Sequence, residues 1–367
     1  MSRAPAAGRG GAPRRSVPKA RRISFIDLVL WAFRAAVLVV VIWGTIATLA
    51  VGRYSGPQWV DFVEFGLAQG AIYAMIALGY TMVYGVLNMI NFAHGEVFMS
   101  GAYTAYFVAA PLGSSGFLDR HLAAGLALIF VVSMATSMGV ALAVERVAYR
   151  PLRRAPRLIP LITAIGASFF LQYTFRSFFG AGVQSYPDIA ALSGEWVVAG
   201  AHLRRTQALV LAAAVVMMLI LYGIVMRTRT GKAMRAVAED RDAAALMGID
   251  VDRIIVFTFA LGGAMAGAAG VLYALVFKQV HFFMGFVPGI KAFTAAVLGG
   301  IGNVPGAMVG GLFLGVIESV GPALFLDGLG VPAPYQLRDV IGFTMLLIML
   351  IFRPQGILGE RLAAKRA

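Results

Sequence analysis

Apolar residues run along this chain in blocks, each about 15 to 25 residues long, the length that crosses a bilayer as a helix. Short polar or basic stretches separate them. The first block, Ala35 to Val51, predicts a crossing, and residues 24–34, with Asp27 and Arg34, predict an approach along the interface. After Gly56-Pro57 the pattern predicts spans at about Val60–Leu87, Ala93–Ala110, Leu122–Val144, Leu158–Phe179, Ala208–Met226 and Ile254–Phe277, and a last one at Val340–Phe352. The alternation near Trp196 to Ala199, inside the long polar connection after Phe179, fits a short hairpin or a surface helix equally well.

Two places break the apolar pattern. From Gly66 to Tyr106 the chain reads GLAQGAIYAMIALGYTMVYGVLNMINFAHGEVFMSGAYTAY, with Asn88, Asn91, His94 and Glu96 clustered around Gly95. Polar groups at membrane depth are costly, so they face a bundle interior or a watery cavity. An apolar segment interrupted in this way predicts a broken membrane helix. The second break lies in the stretch Lys291 to Gly321, at Gly299, Gly300, Gly302, Asn303 and Pro305. Two half-length pieces joined there predict a re-entrant hairpin or a kinked pair, entering and leaving on the outer side. The two breaks, 88–96 and 299–305, are expected to correspond as halves of a pseudo-symmetric bundle. Asn88, Asn91, His94, Glu96, Gly300, Gly302 and Asn303 are therefore the candidates for a translocation path. The plainer reading has the polar four bonded to each other and to freed backbone groups; it leads for His94 and Glu96.

Charge fixes the expected orientation. Arg146, Arg150, Arg153, Arg154 and Arg157 follow the fourth span, and Arg227, Arg229, Lys232, Arg235, Arg241 and Arg253 follow the sixth. The positive-inside rule puts both loops, and both termini, in the cytoplasm. The net charge of +14 is explained by those loops and by the basic tail 1–24, expected to be disordered, so nucleic-acid binding is not expected. A cleaved signal peptide does not fit, because the apolar run starts too late.

Composition excludes several classes. With 60% hydrophobic and 13% charged residues the chain has too little polar surface for a soluble domain. There is no Cys and there are four His, so no disulfide, thiolate centre, metal site or cofactor is expected. No nucleophile–base set is legible, and an enzyme is not expected. The stripes Gly263-x-x-x-Gly267, Gly302-x-x-x-Gly306-x-x-x-Gly310 and Gly311-x-x-x-Gly315 predict close helix packing, within one subunit rather than along a dimer seam.

The polar segment from Thr228 to Arg253 contains AMRAVAEDRDAAALMG, a helix-forming, amphipathic run expected to form one helix of about four turns at 1.5 Å per residue, opened by Gly231 and closed by Gly248. It predicts a docking element for a cytoplasmic partner; a helix lying on the anionic leaflet is the alternative. Gly231-Lys232-Ala233 lacks the preceding glycine and following Ser/Thr of a phosphate loop, so the chain is not expected to bind ATP.

Four blocks, in this order, carry a resemblance: GYTMVYGVLNMINFAHGEVFMSGAY, GKAMRAVAEDRDAAALMGID, KAFTAAVLGGIGNVPGAMVGGLFLGVIES and FRPQGILG. Over roughly Gln58 to Gly359 the chain resembles the H-type permease subunit of bacterial branched-chain amino acid ABC importers. The resemblance implies an all-α, polytopic membrane helix bundle of the type II ABC importer kind, with broken or re-entrant helices, in the bacterial inner (plasma) membrane. It implies a second permease subunit, two ABC ATPase subunits and a periplasmic solute-binding protein as partners. Residues 56–359 would be the permease domain, 25–55 an additional N-terminal segment, and 360–367 a cytoplasmic tail. The 228–253 segment would be the ATPase-coupling loop, with Gly231, Glu239, Asp240 and Gly248 carried over. ATP hydrolysis would belong to the partners, and the path would be mostly apolar. Related permeases carry urea, short amides or other amino acids, so the cargo stays open. A stand-alone secondary transporter or channel is the rival from another class; it would need acid–base relays or charged rings in the spans.

Overall fold

The computed structural model describes residues 25–153, 155–156, 158–198, 200–353 and 355–359. The tails 1–24 and 360–367, with Arg154 and Arg157 of the first basic loop, lie outside the described residues. Helix α1 (Phe25–Val51) starts well before its apolar run, because no Gly or Pro stands between Phe25 and Trp43 to stop it. Helix α2 (Gly56–Leu87) begins on a capping box. Ser55 N–H donates to Gln58 Oε1 at 2.8 Å, and Pro57 occupies the first turn, where its missing N–H costs nothing. Then follow α3 (His94–Ser114), the short α4 (Phe117–Arg120), α5 (Leu122–Val144) with a π-helical turn over Glu145–Tyr149, and α6 (Leu158–Phe179).

The 180–204 connection carries β1 (Gln184–Ser185), β2 (Glu195–Val198) and β3 (Ala201–Arg204). Strands β2 and β3 form an antiparallel hairpin with Trp196 opposite Leu203, so of the two sequence readings the hairpin is the one adopted. Helix α7 (Arg205–Arg227), α8 (Arg229–Glu239), α9 (Arg241–Leu246) and α10 (Val251–Phe277) come next. Strand β4 (Gln279–Val280) pairs with β1, and α11 (Phe286–Gly299), α12 (Val304–Gly321) and α13 (Arg338–Phe352) complete the bundle. Among the described residues eight helices are long and apolar enough to cross a membrane; α12 is one of them, α3, expected as a span, is not, and α11, at 14 residues, is too short.

Helices α2 and α10 are buried over most of their length, and the other helices wrap them. The glycine stripes make that possible. A Cβ at Gly66 would lie 2.8 Å from Val316 Cα, and one at Gly70 2.9 Å from Leu312 Cα, so α2 and α12 touch backbone to backbone. Gly263 and Gly267 seat α10 on α5, whose Ser133 hydroxyl donates to Gly267 O at 2.8 Å.

Two faces result. The π-helical turn, α8–α9 and the ends of α2 and α13 lie on one, the basic face. The β2–β3 hairpin and the starts of α2, α7 and α13 lie on the other.

Candidate translocation and coupling site

Helix α2 stops at Asn88, which adopts a left-handed conformation (φ 52°, ψ 30°) and donates its N–H to Tyr84 O at 2.6 Å. Asn is one of few residues that accept this geometry. The chain then turns back without helix. His94 opens α3 beside Gly79 and edge-on to Tyr80, with ring centroids 4.9 Å apart. Two turns of α2 therefore lie beyond the level at which α3 begins, and 88–93 climbs that distance as irregular, partly buried backbone. Such backbone needs side-chain partners. Tyr149, from the π-helical turn, donates to Asn91 Oδ1 at 3.1 Å and to Ile90 O at 3.3 Å. Asn91, His94 and Glu96 are all buried, whereas Asn88 is exposed.

Glu96 reaches sideways to α6. Its Oε1 accepts from Gln172 Nε2 at 2.6 Å and Ser168 Oγ at 3.1 Å, while Oε2 and His94 Nε2 have no hydrogen-bond partner. Gly95 meets the start of α11: a Cβ there would lie 3.3 Å from Gly289 Cα, and one at Gly285 2.8 Å from Glu96 Oε2.

The second break has a different character. Gly300 (φ 105°) and Gly302 (φ 94°) turn the chain between α11 and α12, which pack antiparallel as a hairpin. Asn303 caps α12, accepting from Gly306 N–H at 3.0 Å, and its Nδ2 donates to Leu358 O at 2.8 Å. The segment 355–359 lies across this turn, with Ile357 N–H on Leu298 O at 2.7 Å and Leu358 N–H on Gly299 O at 3.1 Å. Orphan carbonyls at the end of α11 are thereby satisfied.

The expected correspondence between 88–96 and 299–305 is overturned by this geometry. The counterpart of the first break is 278–286. Lys278 ends α10 in the same left-handed conformation as Asn88 (φ 55°, ψ 22°), and α11 starts against α3 after a non-helical stretch. Phe92, Gly95 and Val97 match Phe282, Gly285 and Val287 at the same sequence separation as Asn88 and Lys278. Hydropathy hid this, because α11 follows its break as a short apolar helix and the Gly/Pro-rich turn after it looks more like an interruption.

The segment expected to couple to an ATPase is also corrected in two respects, and first it is two helices, not one. Asp240 lies between them with extended backbone and caps α9, its Oδ1 accepting from Asp242 N–H at 2.9 Å and Ala243 N–H at 3.0 Å. Thr228 rather than Gly231 opens α8, through Oγ1 to Gly231 N–H at 3.0 Å. Gly231 sits buried in the corner with α7, where a Cβ would lie 2.6 Å from Val225 C. Gly248 (φ 83°) closes α9. Glu239 is exposed, and so are Leu246 (89%) and Met247 (83%), large apolar side chains on a basic face.

Sequence reasoning missed Arg241. Its Nε donates to Val86 O at 2.8 Å, tying α9 to the last turn of α2, two residues before Asn88. Burial, and then the neighbouring Arg153, push the Arg241 pKa down, with Asp242 opposing; a guanidinium stays charged regardless. Arg153 bridges Glu145 and Asp252, joining the π-helical turn to α10.

Missed too were the charges inside the bundle. Lys291 on α11 lies 2.7 Å from Glu318 on α12 and 2.7 Å from Asp339 on α13. Tyr73 and Gln69 of α2 also reach Glu318, at 3.1 and 3.3 Å. The signal available was a Lys and a Glu at the edges of one apolar stretch, each of which reads alone as a boundary residue.

Long apolar helices around two buried ones, two matching irregular breaks meeting inside the bundle, and a basic face bearing a two-helix arm define a multi-pass membrane transport protein. The chain belongs to the family of permease components of branched-chain amino acid transport systems, whose model matches residues 62–350. It is 42% identical over 300 residues to the high-affinity branched-chain amino acid transport system permease protein LivH of Salmonella typhimurium, covering 80% of this chain and 94% of that one. To the corresponding protein BraD of Pseudomonas aeruginosa it is 44% identical over 301 residues, with the same coverage. A probable LivH of Methanocaldococcus jannaschii is 26% identical over 310 residues, covering 82% of this chain and 94% of that one. α1 precedes the family match. An ABC importer of this family works with an ATPase and a solute-binding protein.

Proposed function

We propose that the chain is the permease subunit of an ATP-driven importer for branched-chain or closely related aliphatic amino acids. It would pair with a second permease subunit, rest on two ATPase subunits and receive solute from a periplasmic binding protein. The basic face is then cytoplasmic, in keeping with its arginines. The observation that carries the mechanism is the Arg241–Val86 hydrogen bond. A partner that grips α8–α9 pulls on the end of α2, and through it on the Asn88–Glu96 break. Leu246 and Met247 are the apolar anchors such a grip would bury, and Glu239 is a polar contact at its rim. The packed helices would shift between two arrangements, and ATP acts only through the difference in contacts between them.

The test is reconstitution. With its partners in liposomes, the wild-type complex takes up leucine on adding ATP and loaded receptor. Arg241→Ala keeps basal ATP hydrolysis but loses uptake about tenfold, the effect of one charged hydrogen bond of about 1.5 kcal/mol. Uptake by the purified chain without any ATPase would overturn the reading.

A further inference from the structure

Beside the hairpin face, a cavity of about 460 Å³ opens between α2, β3, α7, α12 and the 334–338 turn. That volume falls within the range of small-molecule sites. Its wall includes Glu64, Phe65, Gln69, Glu318 and Arg338. Glu318 leads directly to the buried Lys291, and Lys291 to Asp339, itself in contact with Arg338 at 3.6 Å. The cluster thus spans α2, α11, α12 and α13, and Lys291 and Glu318 are among the most buried charged groups of the chain, at 3% and 0% side-chain exposure.

A structural clamp alone is an expensive use of such groups: an ion pair this deep is often no better than well-packed apolar residues. One feature is wasted by a clamp. Tyr73, Gln69 and Lys291 all bond to the same Glu318 oxygen, Oε2, and Oε1, though buried, has no partner. Beside it is Gly342, where a side chain would press on Oε1. A carboxylate oxygen left without a partner, on a Glu of the cavity wall whose Lys also holds Asp339, suits an exchange of partners. A zwitterion brings one positive and one negative group. If its ammonium takes Glu318 and its carboxylate takes Lys291, while Asp339 keeps Arg338, six charges remain three pairs and no unpaired charge is left in the bundle.

We propose that Lys291, Glu318 and Asp339 form a binding station for the α-ammonium and α-carboxylate of the transported amino acid, with Phe62, Phe65 and Tyr335 of the cavity wall against its aliphatic side chain. This rests on the transport reading above and adds the site. Gln69 and Tyr73 hold the Glu318 carboxylate in place. Selection at this station is for the zwitterion and not for branching, since its polar groups contact only the part that all α-amino acids share.

The absence of cysteine supplies the experiment. In the assembled complex, Glu64→Cys places a single thiol in this chain, half-buried on the cavity wall, and its rate of maleimide labelling is followed. Leucine at millimolar concentration slows labelling at least fivefold. Leucine amide, which lacks the carboxylate, and 4-methylpentanoate, which lacks the ammonium, leave the rate unchanged. Adding Glu318→Gln removes the protection by leucine, and Asp339→Asn, at a half-exposed position, weakens it severalfold. Equal protection by all three compounds, protection by none, or full protection in both variants overturns the station. Receptor-dependent leucine uptake is measured on the same liposomes. If uptake occurs without protection, only the station falls; if no aliphatic amino acid is taken up, the transport reading falls and the station with it.

Discussion

Glu96 is the polar anchor of α6, which Phe175 and Phe179 also seat on Tyr103 of α3. Helix α6 buries only Pro160, Ala164, Ser168 and Gln172, one residue per turn, and the last two both donate to Glu96 Oε1. Replacing Glu96 with Ala strands two buried donors, at a cost of about 1–3 kcal/mol. The purified permease complex carrying Glu96→Ala should melt several degrees lower, and thiols placed on the inner stripe of α6 should label faster; an unchanged melting point removes Glu96 from this role. At Gly285 the effect is steric: the added methyl of Gly285→Ala meets the Gly95 backbone and Glu96, and overpacking of that kind costs roughly 1–3 kcal/mol. The polar four were legible in the sequence because an Asn, a His or a Glu inside an apolar run contradicts its surroundings wherever it ends up. Lys291 and Glu318 were not, because each borders its run and only the α11–α12 hairpin brings them together. Arg241 was counted as one positive charge among many; that it reaches the end of α2 is a fact of tertiary geometry.

At the scale of elements, the π-helical turn, the α7–α8 corner and the α11–α12 turn each offer a side chain to open backbone groups, Tyr149 to Ile90 O, Arg235 to Val225 O and Asn303 to the start of α12. Asn303 does this twice, capping α12 and holding Leu358. Asn303→Ala loses about 1 kcal/mol of capping and releases the 355–359 segment. Hydrogen exchange should accelerate at Ile357 and Leu358 while α5 and α10 keep their protection. For α9 the chemistry separates two roles of Asp240. Asn caps a helix as well as Asp, so Asp240→Asn keeps the helix and removes the charge, whereas Asp240→Ala removes the cap as well. If the ATPase reads the charge, both variants uncouple hydrolysis from uptake; if Asp240 only caps, Asp240→Asn transports within about twofold of wild type, a change worth under about 0.5 kcal/mol. Helix ends and spans could be read from apolar runs and Gly/Pro signals, since those are local. The split at Asp240 was readable in principle, as an acidic N-cap ahead of Asp-Ala-Ala-Ala, but strong helix formers on both sides masked it.

At the scale of the whole molecule, the family match covers residues 62–350 of the bundle and α1 precedes it. α1 crosses beside the bundle, with almost all of its large side chains exposed, and touches the rest chiefly along one seam. There Thr48 Oγ1 donates to Ala323 O at 3.3 Å, Arg53 pairs with Asp327 at 2.8 Å, and Gly44 packs on Phe325. None of these contacts reaches the Asn88–Glu96 break, the Lys291–Glu318 cluster or the coupling arm. The Arg53–Asp327 pair is exposed on its arginine side and contributes at most about 1 kcal/mol. Helix association in lipid gains little from apolar burial as such, so a helix with so narrow a seam is held weakly. A chain starting at Ser55, which keeps the capping box of α2, should therefore assemble with its partners and support uptake within about twofold of the full chain, a difference of under about 0.5 kcal/mol in the barrier. The melting point of the complex should fall by only a few degrees. Loss of assembly in that truncation, measured by co-purification of the ATPase, would mean that α1 carries a contact with a partner subunit, and its exposed face, from Trp31 through Val39 to Trp43 and Ile46, is where that contact would be sought.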